Sequence, residues 1–134
     1  MGCPVRRRHP QGRRWEQVLR PRDVLNERLI SFSRGTPQGR IIADWCAGSQ
    51  AEAASSIDVR SGQMACALAA CGAGVAIVDD LTARAHRSGE LDFRPIVNPS
   101  LGIFALTHEG FAPSVLGKRM VERVAASLKQ AGGG

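Results

Sequence analysis

The chain has 134 residues and a mass of 14.3 kDa, which is enough sequence for one ordinary domain. Its hydrophobic residues (43%) and charged residues (22%) permit a folded core and argue against general disorder. No apolar run reaches the roughly 18 residues that a membrane-spanning helix needs, and no apolar stretch follows the basic residues 6–8 as it would in a secretory signal. We therefore expect a cytoplasmic protein that is not bound to a membrane.

The basic charge is concentrated at the start of the chain. Residues 1–22 hold seven arginines and one glutamate, whereas residues 23–134 hold eleven basic and eleven acidic residues. The formal charge of +6 therefore comes from the first segment. This segment is rich in proline and glycine, and any helical turn around Val18 would end at Pro21. We expect residues 1–22 to form a loosely ordered arm.

A regular apolar pattern begins after the arm. Residues 28–33 predict a strand. Thr36 and Pro37 then fit the N-cap and the first position of a helix that runs to about Ala47. On this helix we expect three apolar residues to face inward, namely Ile41, Ile42 and Trp45.

A second strand and helix follow. Residues 56–60 predict the strand, and Ser61 caps a helix over residues 62–71. This helix is apolar nearly all round, which predicts burial on most of its sides. After a Gly-x-Gly turn, the uninterrupted apolar run 75–78 is typical of a strand inside a parallel sheet.

The last third of the chain predicts a short helix, two strands and a long helix. Asp79 or Asp80 caps the short helix. The two strands are predicted over residues 91–96 and 101–106. The long amphipathic helix spans about residues 113–128, and the glycine tail 131–134 is expected to fray. Its apolar stripe consists of Val115, Leu116, Met120, Val124 and Leu128. The alternation of strands and helices predicts an α/β fold with a parallel sheet flanked by helices.

The sequence shows no arrangement typical of an enzyme, a metal site or a cofactor site. Gly72-Ala73-Gly74 follows a helix and opens a strand, the reverse of a dinucleotide-binding loop. Asp79 and Asp80 are adjacent, so their carboxylates point to different sides, and no Gly-x-Ser-x-Gly elbow is present. The spacing of the four cysteines and three histidines fits no usual zinc motif, and a reducing compartment disfavours disulfides. We expect no enzymatic activity and no cofactor.

Two helix starts are candidate sites for a ligand. In open α/β sheets, ligands lie beyond the carboxyl ends of the strands, where unpaired N–H groups favour an anion. Residues 33–36 and 60–62 provide such positions. The hydroxyls of Thr36 and Ser61 either cap their helices only or also touch a ligand. Both roles remain open, as does the choice between solvated charges and carboxylate clamps for the neighbouring arginines.

Residues 59–79 combine a strand, a capped helix, a Gly-x-Gly turn and an apolar strand. This order resembles the effector-binding domain of LysR-type transcriptional regulators. Residues 23–34 resemble that domain's entry into its second subdomain. Residues 91–106 and the last helix resemble its closing strands and C-terminal helix. Together the resemblance covers residues 23–130.

The resemblance implies a periplasmic-binding-protein-like (type 2) α/β fold, mainly its second subdomain. It implies sensing of a small anionic or amino-acid-like effector, and association with a second copy or with a full-length regulator subunit. DNA contact would require a helix-turn-helix that this sequence lacks. The family pattern carries effector contacts onto Ser33, Arg34, Gly35, Thr36, Arg60, Ser61, Val78 and Asp79. The Thr36-Pro37 and Cys66-Ala67-Leu68 segments are most similar to the branch that answers to amino acids and opines.

The sequence also departs from the family pattern. The DNA-binding part is absent and most of the first subdomain is missing, and Ala69 and Asp80 replace residues more usual there. We therefore expect a truncated, frame-shifted or late-started copy with a half-built cleft and weak effector binding. Two other functions are possible: pairing with full-length regulators to block their assembly, or nucleic-acid binding by the arm. The second would use Arg6, Arg7, Arg8, Arg13 and Arg14.

Overall fold

The computed structural model describes most of the chain, namely residues 1–6, 18–47, 56–86, 90–97, 99–107, 109–110 and 112–132. The chain divides into two compact units, Met1–Leu101 and Gly102–Gly134. Among the described residues, the first unit contains two sheets and four helices, and the second contains the long C-terminal helix.

Strands and helices alternate through the first unit. In chain order, the elements are β1 Gly2–Arg6, α1 Pro21–Val24, β2 Leu29–Phe32, α2 Pro37–Ala47, β3 Ser56–Val59, α3 Gly62–Ala70, β4 Val75–Ala76, α4 Asp80–Ala85, β5 Leu91–Pro95 and α5 Val115–Gly132. From residue 28 to residue 96 these elements follow the predicted order, with boundaries that differ by one or two residues.

A parallel three-stranded sheet forms the centre of the first unit. Its strand order is β3-β2-β4. β2 pairs with β3 from Leu29 opposite Ser56 to Phe32 opposite Val59, and with β4 from Leu29 opposite Val75. All four residues of β2 are buried, as expected for a central strand covered by helices on both faces. The predicted α/β fold with a parallel sheet is confirmed.

The core lies between this sheet and its helices. The largest fully buried side chains include Val24, Ile30, Val75, Ile77 and Val78. Helix α2 packs against β2, and α3 packs against β2 and β4. On α2, Ile42 is buried while Ile41 and Trp45 are half-buried, so the predicted inward side is only partly enclosed.

Helix α3 is less enclosed than its composition predicts. Ala65, Cys66 and Ala69 are buried, but Met64 is 55% exposed. One face of the helix therefore packs on the sheet while the other faces outward. The high apolar content of α3 comes mostly from small residues such as alanine. These residues pack closely on the sheet and do not require another element to cover the outer face of the helix.

Two glycines after α3 allow the chain to reverse direction. Gly72 has a φ of 80°, a left-handed conformation that favours glycine at the end of a helix. Gly74 lies so close to β2 that a Cβ there would collide with the Arg28 carbonyl oxygen. The Gly-x-Gly motif thus serves a helix end and a close backbone approach.

The N-terminal segment is not a loosely ordered arm throughout. Residues 2–6 form β1, which pairs antiparallel with β5 from Gly2 opposite Pro95 to Arg6 opposite Leu91. Pro21 begins α1 rather than ending a turn, because a proline at the first helical position lacks only an N–H that the helix does not use. The expected loosely ordered arm is therefore not found over residues 2–6, and residues 7–17 lie outside the described part of the chain.

The second unit contains α5 and, before it, described residues that belong to neither a helix nor a strand. Residues 101–106 were expected to form a strand, but they take no strand conformation. The apolar run satisfies the side-chain pattern of a strand, yet a strand also needs a neighbour for its backbone groups. No described residue pairs with this segment. The glycine tail was expected to fray, but α5 continues to Gly132.

Among the described helices, none combines the length and apolar content that crossing a bilayer requires.

Candidate functional site

The three parallel strands end at one edge of the sheet. Phe32 and Val59 are register partners at the last positions of β2 and β3. On the other side of β2, the Ile77 N–H donates to the Ile30 carbonyl at 3.4 Å, so the chain runs in the same direction there. We call the residues that follow these strands the carboxyl edge, which comprises Ser33, Arg34, Gly35, Thr36, Arg60, Ser61, Val78 and Asp79.

Thr36 caps α2 with its side chain. Its hydroxyl oxygen accepts a hydrogen bond from the Gly39 N–H at 3.0 Å and donates to the Ser33 carbonyl at 2.8 Å. The Thr36 N–H donates to that same carbonyl at 2.9 Å. These bonds close a tight turn between β2 and α2. The predicted cap is therefore present.

Ser61 plays the same part at α3. Its backbone is extended, with φ −143° and ψ 149°, and its hydroxyl oxygen accepts from the Met64 N–H at 3.2 Å. The predicted cap is present here too. Ser61 and Thr36 are both half-buried, so each side chain retains a face toward solvent.

Helix geometry leaves backbone N–H donors without a helical partner at the starts of α2 and α3. Each cap satisfies the third amide of its helix, and the first two amides have no partner within the helix. Because Pro37 has no N–H, α2 offers the amide of Gln38, while α3 offers those of Gly62 and Gln63. These amides carry partial positive charge from the helix dipole, which suits a carboxylate.

Asp79 brings a negative charge to the third strand end. One of its carboxylate oxygens accepts from the Thr82 N–H and the other from the Thr82 hydroxyl, each at 2.8 Å. Asp79, rather than Asp80, is therefore the cap of α4. Burial raises the pKa of the Cys66 thiol, and the Asp79 carboxylate raises it further.

The two arginines supply positive charge beside the helix starts. Arg34 and Arg60 are both exposed, as are Ser33 and Gly35. Burial raises the pKa of the Cys46 thiol on α2, and the Arg34 charge partly offsets this effect. The Val78 side chain is fully buried, so only its main-chain groups can face a ligand.

Sequence reasoning placed Gly62 in the second candidate position, residues 60–62, but did not single out Thr82. A Cβ on Gly62 would lie 2.6 Å from Thr82 Cγ2 and 2.8 Å from Thr82 Oγ1, so the starts of α3 and α4 are in close contact. The Asp-x-x-Thr spacing was the available signal for Thr82, because an N-cap carboxylate bonds the third helical residue. Nothing local in the sequence marks the contact with Gly62, since it joins residues on different elements.

The described residues contain no group of three His, Cys, Asp or Glu side chains that could hold a metal ion. The raised thiol pKa values of Cys46 and Cys66 keep these groups protonated and poorly nucleophilic. Of the arginines assigned to nucleic-acid binding, Arg6 lies in β1. Arg7, Arg8, Arg13 and Arg14 lie outside the described part of the chain.

The fold and the carboxyl edge define a class, namely α/β ligand-binding domains in which helix starts meet at the ends of parallel strands. The family model of the LysR substrate binding domain matches residues 1–129. The chain belongs to this family, and it is part of the effector-binding domain of a LysR-type transcriptional regulator. A search of curated proteins finds no match to the chain.

Solved structures of the BenM protein share the fold. The BenM effector binding domain with its effector benzoate superposes with a TM-score of 0.63 at 19% sequence identity, covering 73% of this chain and 45% of that one. Full-length BenM matches with a TM-score of 0.60 at 19% identity, covering 73% of this chain and 33% of that one. The chain therefore spans less than half the length of these solved chains.

Proposed function

We propose that the carboxyl edge is one wall of an effector site that binds a small carboxylate, with preference for an amino-acid-like molecule. The observation that carries the proposal is the meeting of the capped starts of α2 and α3 at adjacent strand ends, next to Arg34 and Arg60. Unpaired helical amides and guanidinium groups both favour a carboxylate.

The charge of Asp79 supports the amino-acid preference. It lies at the third strand end, where its carboxylate would attract the α-ammonium group while the two helix starts hold the α-carboxylate. A plain carboxylic acid would bind the two helix starts but would have no ammonium group for Asp79 to attract. The branch of the family that answers to amino acids and opines fits this distribution of charge.

Binding to this chain should be weak. Burial of a ligand from two sides normally supplies much of its affinity, and the chain spans 45% of the benzoate-bound BenM domain. We expect dissociation constants of about 1 mM or higher, which correspond to a binding free energy of about −4 kcal/mol or less negative. In a LysR-type regulator, such binding would shift a conformational equilibrium rather than catalyse a reaction. A cytoplasmic location belongs to the same proposal.

The test compares norleucine with hexanoate, which share a carbon skeleton and differ by the α-ammonium group. Titration by isothermal calorimetry should give tighter binding for norleucine than for hexanoate. Asp79→Asn keeps an oxygen for the Thr82 N–H and should abolish the difference. Equal affinities in the unchanged protein would refute the amino-acid preference, and micromolar affinity would refute the expectation of weak binding.

Association with a second copy, or with a full-length regulator subunit, is a further part of the proposal. It is supported by exposed apolar side chains in the second unit, where Phe104 is 82% and Leu106 94% exposed. The nucleic-acid alternative has less support. Residues 2–6 pair with β5, and the family match includes residues 1–22, which makes this segment part of the domain.

A further inference from the structure

The indole of Trp45 makes a hydrogen bond that joins distant parts of the first unit. Trp45 Nε1 donates to the Val97 carbonyl at 2.8 Å, across 52 positions of sequence. Trp45 lies in the last turn of α2, and Val97 follows β5 shortly before Leu101, where the first unit ends. The bond therefore fixes the last helical turn to the segment through which the chain leaves this unit.

Val97 belongs to a small backbone network. Its N–H donates to the Leu19 carbonyl at 3.0 Å, and the Leu19 N–H donates to the Pro95 carbonyl at 2.8 Å. Leu19 and Ile96 form an isolated parallel bridge, and both are buried. We call Leu19, Pro95, Ile96 and Val97 the exit bridge. A further backbone bond runs from the Ile96 N–H to the Met1 carbonyl at 3.3 Å, and the Trp45 indole adds a side-chain bond at Val97.

Helix α2 connects the exit bridge with the carboxyl edge. The helix has 11 residues, so its ends are about 15 Å apart at about 1.5 Å per residue. Its first turn is held by the Thr36 cap and by buried Gly39, and its middle by buried Ile42. Rigid secondary-structure elements of this kind can carry coupling between two sites. A displacement of the first turn of α2 would therefore also displace Trp45 in its last turn.

We propose that Trp45 is a positioning residue that ties the exit bridge to α2, so that a ligand bound at the start of α2 changes the exit bridge. The ligand-dependent part rests on the proposed function, whereas the tie itself does not. The indole N–H is the essential group, because the aromatic ring alone would pack against the segment without fixing the Val97 carbonyl.

The tie is tested by amide hydrogen exchange in the full chain. A Trp15→Phe background leaves Trp45 as the sole tryptophan, and incorporation of benzothienylalanine then replaces its N–H by sulfur with little change of shape. Exchange at the Leu19 and Val97 amides should accelerate about 2- to 12-fold, the range expected for one hydrogen bond. The α3 amides of Ala65 and Ala69 are the internal reference and should not change. Unaltered exchange at the exit bridge, or equal acceleration in α3, would overturn the tie.

Coupling to the ligand is tested by amide chemical shifts during norleucine titration. We expect chemical-shift changes at Gln38 and Gly62 together with changes at Leu19 and Val97. With benzothienylalanine at position 45, the changes at Leu19 and Val97 should become smaller while those at Gln38 and Gly62 persist. Shifts at the helix starts without any at the exit bridge would overturn the coupling alone. Absence of shifts at both places would overturn the proposed function and the coupling with it, while the exchange result would still decide the tie.

Discussion

The hydroxyl of Ser61 can cap α3, contact a ligand, or do both, and two substitutions separate these roles. Ser61→Ala removes the acceptor for the Met64 N–H and should lower the free energy of unfolding by about 0.5–2 kcal/mol in urea titrations. Ser61→Asp keeps an N-cap acceptor but adds negative charge at the carboxyl edge. It should therefore retain stability and lose carboxylate binding. If Ser61→Asp binds norleucine as well as the unchanged protein does, the ligand carboxylate does not lie at the start of α3 and Ser61 is a cap only.

The cysteines should differ strongly in reactivity. Cys71 is exposed, Cys46 is half-buried, and Cys66 is 1% exposed with its thiol pKa raised by burial and by Asp79. Because the thiolate is the reacting species, labelling with a disulfide reagent at neutral pH should modify Cys71 before Cys46, and Cys66 only after unfolding. Single Cys→Ser variants assign each phase. Early modification of Cys66 in folded protein would contradict its placement in the core.

The raised pKa of Cys66 also has a consequence for stability. In the unfolded chain the thiol titrates near its ordinary value of 9.0, whereas the folded state holds its proton to higher pH. The folded state then binds more protons than the unfolded chain. The contribution of Cys66 to the free energy of unfolding is therefore complete below pH 9 and is lost as the pH rises through the pKa of the folded state.

At the scale of elements, the approach of α2 to β2 depends on Gly39. A Cβ at this position would collide with the Ser33 carbonyl oxygen, which also receives the Thr36 hydroxyl bond. Gly39→Ala should therefore cost about 1–3 kcal/mol, although alanine favours helices elsewhere. Gly35→Ala is the matched control, because its Cβ would meet only Ser33 Oγ at 3.9 Å. Equal stability of the two variants in urea unfolding would show that α2 does not pack as described.

Elements fixed by local chemistry were predictable from the sequence. The caps at Thr36 and Ser61 and the buried run 75–78 depend on neighbours within a few residues, and all three are present. The errors concern pairing at long range. Residues 2–6 lack the alternation of a strand, yet β5 supplies a partner, while residues 101–106 have an apolar pattern but no described partner. Strand formation depends on that second chain segment, which no local pattern contains.

The candidate site was predictable to a similar degree. The residues at the ends of β2 and β3 could be placed at one edge, because parallel strands end together. The contact between Gly62 and Thr82, and the bond from Trp45 to Val97, join residues on separate elements. Both follow from the packing of helices on the sheet, so neither had a signal in the sequence.

At the scale of the whole molecule, the second unit presents a large apolar surface. A groove of about 230 Å³ lies between residues 103–105 and five residues of α5, namely Met120, Val121, Val124, Ala125 and Leu128. Leu106 and Met120 are 94% and 67% exposed, so replacing them should cost little stability. Leu106→Gln combined with Met120→Gln should therefore reduce self-association, measured as the weight-average mass in light scattering.

Glu122→Gln is the control for this experiment. Glu122 follows Met120 by two positions, so its side chain lies on nearly the opposite side of α5. It should leave the measured mass unchanged. A monomeric unchanged protein would contradict association through this surface, and so would equal masses for the double variant and the unchanged protein.

The most direct test of the account is to locate the ligand by amide chemical-shift mapping with norleucine at millimolar concentrations. The account predicts shifts in fast exchange at the starts of α2 and α3, centred on Gln38, Gly62 and Gln63, with none around Met120 and Val124 in the second unit. Shifts confined to the apolar groove of the second unit, or no shifts at any ligand concentration, would contradict the placement of the effector site at the carboxyl edge.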